Sequence, residues 1–305
     1  MRKEGQRKTA WLSIFQFLSG DVADMENIGY YNGKTGLIEE MTIPMGDRSV
    51  YFGDGVYDAT YSVNHIIFAL EEHLDRFYNS CRLLEIPAPM EREALKAALY
   101  DCVQKVDNPN QFVYWQCTRG SGLREHIFPE GKSNLLIYCL PCEMKDMAQK
   151  YKLITMEDTR FLHCNIKTLN LIPSVMASQR AREKGCQETV FHRGDLVTEC
   201  AHSNVSILKD GVFITHQLDN LVLPGISRKH LLEICKEKGI PVEERDYTLG
   251  ELWNADEILV SSSGAQCMAA CELDGKPVGG KDPATLKVLQ DACRAKLLKE
   301  TTPKA

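Results

Sequence analysis

The sequence predicts a mixed α/β (α+β) fold in two domains, and three observations carry that prediction. The chain has 305 residues, which corresponds to two domains at about 150 residues each. Asn32-Gly33, Lys209-Asp210-Gly211 and Leu273-Asp274-Gly275 each separate short apolar runs, the chemistry of hairpin turns between antiparallel strands. Elsewhere apolar residues step by three and four, the period of helices that bury one face.

At the N-terminus, Arg2, Lys3, Arg7 and Lys8 followed by the apolar run 11–18 imitate a signal peptide, but Ser13 and Gln16 interrupt the run and no Ala-x-Ala cleavage site follows. The run is also far short of the roughly 18 apolar residues of a membrane span. Residues 1–24 are expected to be a disordered extension, or a start placed too early with Met25 as the natural first residue.

A small α/β domain is expected over 25–145. After the Asn32-Gly33 hairpin, Leu70, Leu74, Phe77, Cys81 and Leu84 mark an amphipathic helix, with His73, Arg76 and Ser80 on a different face. A second helix is expected over 89–106, with strands at 111–117 and 134–140. The polar stretch 143–150 supplies an interdomain link, placed at 146–151. The larger C-terminal domain, 152–305, opens with a strand near 152–156. Pro173 and Gly185 frame a helix, and another runs from Gly225-Ile226-Ser227 to Gly239. Thr248-x-x-Glu251 is a capping box, 258–260 an apolar strand, and Leu286, Leu289, Cys293 and Leu297 a C-terminal helix.

Composition narrows the function classes. With 44% hydrophobic and 26% charged residues, the chain has the balance of a globular protein rather than a disordered, collagen-like or coiled-coil one. A net charge of -6 provides no basic field for a phosphate backbone, so nucleic acid is not an expected partner. Nor is a membrane. Twelve scattered cysteines lack disulfide-scaffold spacing and point to a reducing cytoplasm. Cys139-x-x-Cys142 is a redox pair or half a zinc site by pattern, but no second pair accompanies it, and no metal is expected.

Four stretches carry chemistry. In 163–170, Lys167 lies among apolar neighbours, a setting in which desolvation lowers an amine's pKa and makes it nucleophilic toward aldehydes. Thr198-Glu199 with Ser203-Asn204 closes a strand. Leu223-Pro224-Gly225-Ile226-Ser227 opens a helix, whose free N–H groups and dipole suit a phosphate. Ser261-Ser262-Ser263-Gly264 ends the apolar strand and offers further donors.

The ordered set Gly53-Asp54-Gly55-Val56-Tyr57, His73-Leu74-Asp75-Arg76, Cys164 to Asn170, Glu183-Lys184-Gly185-Cys186, Val197-Thr198-Glu199 with Ser203-Asn204-Val205, and Pro224-Gly225-Ile226 resembles the class IV (fold type IV) pyridoxal-phosphate aminotransferases. The likeness runs from about Tyr30 to the last helix. It implies a fold type IV architecture, pyridoxal 5′-phosphate as cofactor, amino acid and 2-oxo acid substrates, and a homodimer. By the same resemblance Lys167 is the cofactor's covalent anchor and the acid/base at the substrate carbon. Glu199 faces the pyridine nitrogen and keeps it protonated. Arg76 binds the phosphate with Ile226, Ser227, Ser262 and Ser263, with Ser203 and Asn204 beside the cofactor and Leu223 against its ring.

Tyr57, Arg124 and His126 resemble the substrate-carboxylate trap of D-amino acid aminotransferases, in which an Arg-x-His pair supplies a guanidinium fork and an imidazole donor. The implied reaction is ping-pong exchange between a D-amino acid of the D-alanine type and 2-oxoglutarate or pyruvate. A branched-chain L-aminotransferase or an aminodeoxychorismate lyase on the same fold is the enzyme alternative. A pyridoxal-phosphate-binding or thiol-based regulatory protein using Cys139 and Cys142 is the non-enzyme one. Two departures from the branch, Cys200-Ala201-His202 beside the cofactor and Gly264 after the strand-end serines, bear on substrate range.

Overall fold

The computed structural model describes residues 27–303; the extension expected over 1–24 lies outside the described residues. Two sheets divide the chain. The first runs in the order β2-β1-β6-β5-β3-β4 and is antiparallel throughout. Its strands are β1 (Ile28–Tyr31), β2 (Lys34–Gly36), β3 (Gly55–Val63), β4 (Ile66–Ile67), β5 (Gln111–Thr118) and β6 (Asn134–Pro141). Three helices accompany it, α1 (Arg48–Phe52), α2 (Leu70–Leu83) and α3 (Arg92–Lys105). Leu74, Phe77, Leu95, Leu99, Trp115 and Ile137 are fully buried between α2, α3 and the sheet. Because α2 buries His73, Arg76 and Ser80 as well as its apolar stripe, it is covered on two sides.

The second sheet runs β12-β11-β10-β13-β14-β7-β8-β9, with β15 on β14. Its strands are β7 (Lys150–Glu157), β8 (Glu188–Arg193), β9 (Leu196–Cys200), β10 (Asn204–Lys209), β11 (Val212–Thr215), β12 (Val242–Glu244), β13 (Glu257–Ser261), β14 (Met268–Leu273) and β15 (Lys276–Pro277). The helices are α4 (Ile172–Glu183), α5 (Ile226–Lys238), α6 (Leu249–Asn254) and α7 (Pro283–Thr301). Here the expectation of antiparallel pairs alone fails: β7 with β8, β14 with β7, and β11 with β12 are parallel. The reason for the β7–β8 and β11–β12 pairs is that α4 and α5 each cross over and return the chain to the starting edge, which a hairpin cannot do.

Local signals fall where the sequence puts them. Asn32 and Gly33 both have positive φ, +46° and +92°, as a two-residue hairpin of this hand requires. Thr248 and Glu251 form the capping box of α6. Two boundaries shift: α3 starts at Arg92 rather than 89, and β7 starts at Lys150, inside the expected link.

The segment 161–170 ties the two halves together. Tyr57 N–H donates to Lys167 O at 2.9 Å, Leu169 N–H to Gly55 O at 3.0 Å, and Val56 bridges Thr168. On α2, Glu72 pairs with Lys229 and His230 of α5. Among the described residues, no helix is long and apolar enough to cross a membrane, and no cluster of metal-ligating side chains occurs.

Candidate active site

A cavity of about 380 Å3 lies where the two halves meet. β3 contributes Tyr57, Ala59 and Tyr61, every second residue, because strand side chains alternate between faces. The segment 160–171, the turn after β9, the approach to α5 and the end of β13 supply the other walls.

Lys167 enters from a loop rather than a strand. Its amide donates to Ser80 Oγ at 3.3 Å and its carbonyl accepts from Tyr57, so the backbone is fixed while the side chain reaches into the cavity. The ammonium stands 4.3 Å from the Tyr57 ring centre, a cation–π distance.

Glu199 is 6% exposed and lies near the end of β9. Its Oε2 accepts from Asn204 Nδ2 and from Leu223 N–H, each at 3.0 Å. Its Oε1 accepts from Arg160 Nη1 at 2.5 Å. Burial pushes its carboxyl above the ordinary value even against Arg160. A buried acceptor with that proton affinity suits a cationic partner such as a protonated ring nitrogen.

Arg76 is held by Asp58, which is fully buried on β3: Nε donates to Oδ2 at 2.9 Å and Nη2 to Oδ1 at 2.7 Å. Burial alone would raise Asp58, but Arg76 and His73 outweigh it and hold the carboxyl well below the usual range. Nη1 reaches Pro224 O at 3.3 Å, which docks α2 against the chain entering α5.

The residues present fit a phosphorylated pyridine. Gly225, the N-cap of α5, gives that helix no side-chain cap. It also lies so close to Asn204 that a Cβ would come within 1.9 Å of Asn204 Oδ1. Ser261 Oγ is buried and has no partner among the described residues, and it lines the cavity with Ser262 and Ser263. Arg76, Ile226 and these serines would hold the phosphate, Glu199 the ring nitrogen and Leu223 the ring face.

The structure therefore brings Tyr57, Arg76, Lys167, Glu199, Ser203, Asn204, Leu223, Ile226, Ser262 and Ser263 to one cavity. Ser227 is buried behind it in the first turn of α5. Arg124 and His126 do not line it. Both are exposed and lie against Phe52, with the Arg124 guanidinium 5.4 Å and the His126 ring 5.2 Å from its ring centre. Their loop is pinned there by Arg48 Nη1, which donates to Glu125 O at 2.7 Å. His126 lines a second cleft of about 310 Å3, which shares Phe161, Ile166, Thr168 and Asn170 with the first.

Sequence reasoning missed Asp58 and Arg160. A lone aspartate inside an apolar strand, and an Asp-x-Arg just before the lysine segment, were the available signals. Neither shows its partner in sequence.

The sequence profile of the amino-transferase class IV family matches residues 55–273. The D-alanine aminotransferase of Listeria monocytogenes serotype 4b (strain F2365) is 38% identical over 260 residues, spanning 83% of this chain and 90% of its own. That of Bacillus licheniformis is 35% identical over 275 residues, spanning 89% and 97%. Among solved structures, the branched-chain amino acid aminotransferase of Escherichia coli superposes with a TM-score of 0.82 at 23% identity, over 92% of this chain and 97% of that one. The T.th. branched-chain amino acid aminotransferase complexed with N-(5′-phosphopyridoxyl)-L-glutamate superposes with a TM-score of 0.81 at 22% identity, over 91% and 96%. These two likenesses define the fold.

Proposed function

The chain belongs to the class IV aminotransferases and depends on pyridoxal phosphate, and from that premise we propose that it exchanges an amino group between a D-amino acid of the D-alanine type and a 2-oxo acid such as 2-oxoglutarate or pyruvate. The observation that carries the reading is the convergence of Lys167, Glu199 and Arg76, from a loop, a strand end and a helix, on one cavity. The D-alanine aminotransferases at 33–38% identity support the choice of substrate.

When bound, the cofactor supplies an aldehyde that captures amines and a ring that withdraws electrons from the substrate carbon. Lys167 Nζ moves the proton at that carbon. Glu199, backed by Arg160, keeps a positive charge on the ring nitrogen favourable. Arg76, oriented by Asp58, holds the phosphate end. Tyr57 forms the wall beside Lys167 and offers a hydroxyl to the substrate.

Arg124 and His126 complete the carboxylate trap from a second copy of the chain in a homodimer. Two features support this. The pair lies outside the cavity of its own chain, and its loop carries a bare apolar surface, with Leu123 81%, Ile127 71% and nearby Met45 87% exposed. Such a patch marks an interface. All twelve cysteines are unpaired and eleven are buried, which supports a reducing, cytoplasmic setting.

The test is a panel of D- and L-amino acids with 2-oxoglutarate, following 2-oxo acid formation. Turnover of D-alanine supports the reading. An L-only profile favours the branched-chain alternative, and pyruvate release without an amino acceptor favours the lyase.

A further inference from the structure

His202 departs from the residues expected beside the cofactor and has no task in the chemistry above. It follows Glu199 by three residues and lines the cavity, with 54% of its side chain accessible. Its Nδ1 lies 2.9 Å from Oε2 of Glu188, a carboxylate with no exposed surface. Glu188 is fully engaged, since its Oε1 accepts from Thr189 N–H at 2.9 Å and its Oε2 from Ser203 Oγ at 3.0 Å. Attraction to Glu188, opposed by the charge of Lys145, raises the imidazole above its ordinary pKa. The ring is thereby fixed by one nitrogen, and Nε2 on its other edge has no partner among the described residues.

Lys145 lines the same cavity, with its ammonium donating to the Tyr151 hydroxyl at 2.8 Å. Tyr61 also lines it, so close to Gly264 that a Cβ there would lie 2.5 Å from its hydroxyl oxygen. Gly264, the second departure, thus leaves room for Tyr61 to form this wall. The charge balance of the lining is one-sided. Glu199 is the only carboxylate that lines it, already paired with Arg160; Arg76 and His202 are paired with Asp58 and Glu188 outside the lining, and Lys145 and Lys167 have no carboxylate partner among the described residues. A phosphate takes Arg76, and Lys167 serves the reacting carbon. Lys145 and His202 remain.

We propose that Lys145 and His202 form a subsite for a second carboxylate, so that this enzyme favours dicarboxylic amino acids and 2-oxo acids, gripping the far end of the side chain. This rests on the transaminase reading of the same cavity. A carboxylate suits the pair because each cation offers a charge-assisted hydrogen bond in a confined space.

The experiment compares kcat/KM for D-glutamate and D-alanine, and for 2-oxoglutarate and pyruvate, in the wild-type holoenzyme and in Lys145→Met, Lys145→Arg and His202→Ser. Lys145→Met and His202→Ser are expected to lose roughly 10- to 100-fold on the dicarboxylates, mainly in KM, with D-alanine and pyruvate within about threefold. Lys145→Arg restores the preference. A second arm titrates glutarate and butyrate against the cofactor absorbance, which reads the subsite without turnover and independently of handedness. Glutarate should bind more tightly to wild type than butyrate and lose that advantage in the variants. Equal losses on both substrate classes, or no loss with glutarate no better than butyrate, overturns the subsite. Absence of D-amino acid turnover in wild type, with the glutarate preference intact, overturns the D-amino acid reading alone. Because His202→Ser bares Glu188, Lys145→Met decides if that variant fails to fold.

Discussion

The Arg160 guanidinium donates to the Glu199 carboxylate at 2.5 Å and, from its other edge, to both oxygens of Asp158 at 2.9 Å. Arg193 and Thr198 also donate to Asp158, so a chain of buried charges stands behind the carboxylate that faces the cavity. Arg160→Leu leaves two buried carboxylates short of a partner. Breaking a buried pair from one side costs about 3–5 kcal/mol, and urea unfolding should show a loss of that size. A loss below about 1 kcal/mol, the range of exposed pairs, would mean that the network does not support Glu199.

Lys167→Ala should abolish transamination, since acid–base catalysis alone contributes roughly 10²- to 10⁴-fold, while cofactor is retained noncovalently. In the unmutated enzyme, borohydride reduction and peptide mapping should mark Lys167. Label on another lysine refutes the assignment. Glu199→Gln should keep the fold and slow proton abstraction, because a neutral amide no longer favours a charged ring nitrogen.

Gly225→Ala should be far more damaging than its size implies. The new methyl would overlap Asn204 Oδ1, and Asn204 ties Glu199 to Leu223 O through bonds of 3.0 Å. Overpacking costs about 1–3 kcal/mol, and displacing Asn204 also frees one oxygen of Glu199. Thermal unfolding and cofactor retention on dialysis should both fall. Adding Asn204→Ala to Gly225→Ala should recover the melting temperature but not the cofactor affinity.

Arg124→Leu should weaken D-amino acids and 2-oxo acids together by roughly 10- to 150-fold, the worth of a hydrogen bond to a charged group, with a normal cofactor spectrum. Arg76→Leu should do the reverse and loosen the cofactor. Because Arg124 lies outside the cavity of its own chain, mixing Arg124→Leu with Lys167→Ala protein under subunit exchange should restore activity. The mixed dimer then contains one site with neither defect. No recovery on exchange would place the trap within a single chain.

The contact between α2 and α5 should be acid-sensitive. Glu72 Oε2 lies 2.6 Å from His230 Nε2, and that hydrogen bond, with Lys229 also opposing burial, lowers the Glu72 carboxyl to about 2. The folded pKa lies below the unfolded one, so the folded state binds fewer protons in between. The stabilisation is therefore complete above about pH 4.5 and is lost as pH falls toward 2. The melting temperatures of wild type and Glu72→Gln should differ at neutral pH, draw together below about pH 4.5 and converge only near about pH 2. A constant gap would show that the pair contributes through packing alone.

The sequence by itself determined what is local. The Asn32-Gly33 turn, the capping box of Thr248 and Glu251 and the stop at Gly239 stand where their residues put them, because turn and cap energies involve neighbours a few positions apart. The set containing Arg76, Lys167 and Glu199 was legible as chemistry through its order along the chain, and those three side chains meet in one cavity. Tertiary structure decided the pairings between residues distant in sequence. Asp58 meets Arg76 eighteen positions away and Arg160 meets Glu199 thirty-nine away, and no pattern in the sequence marks a charge as buried until the partner elements pack around it. Strand direction was likewise a global matter: β7 pairs parallel to β8 and β14 because a helix and a long excursion bring the chain back in register. The place of Arg124 was decided in the same way. The resemblance gave Arg-x-His the part of a carboxylate trap, but Arg48 pins the loop through Glu125 O beside a second cleft, outside the cavity that Lys167 enters.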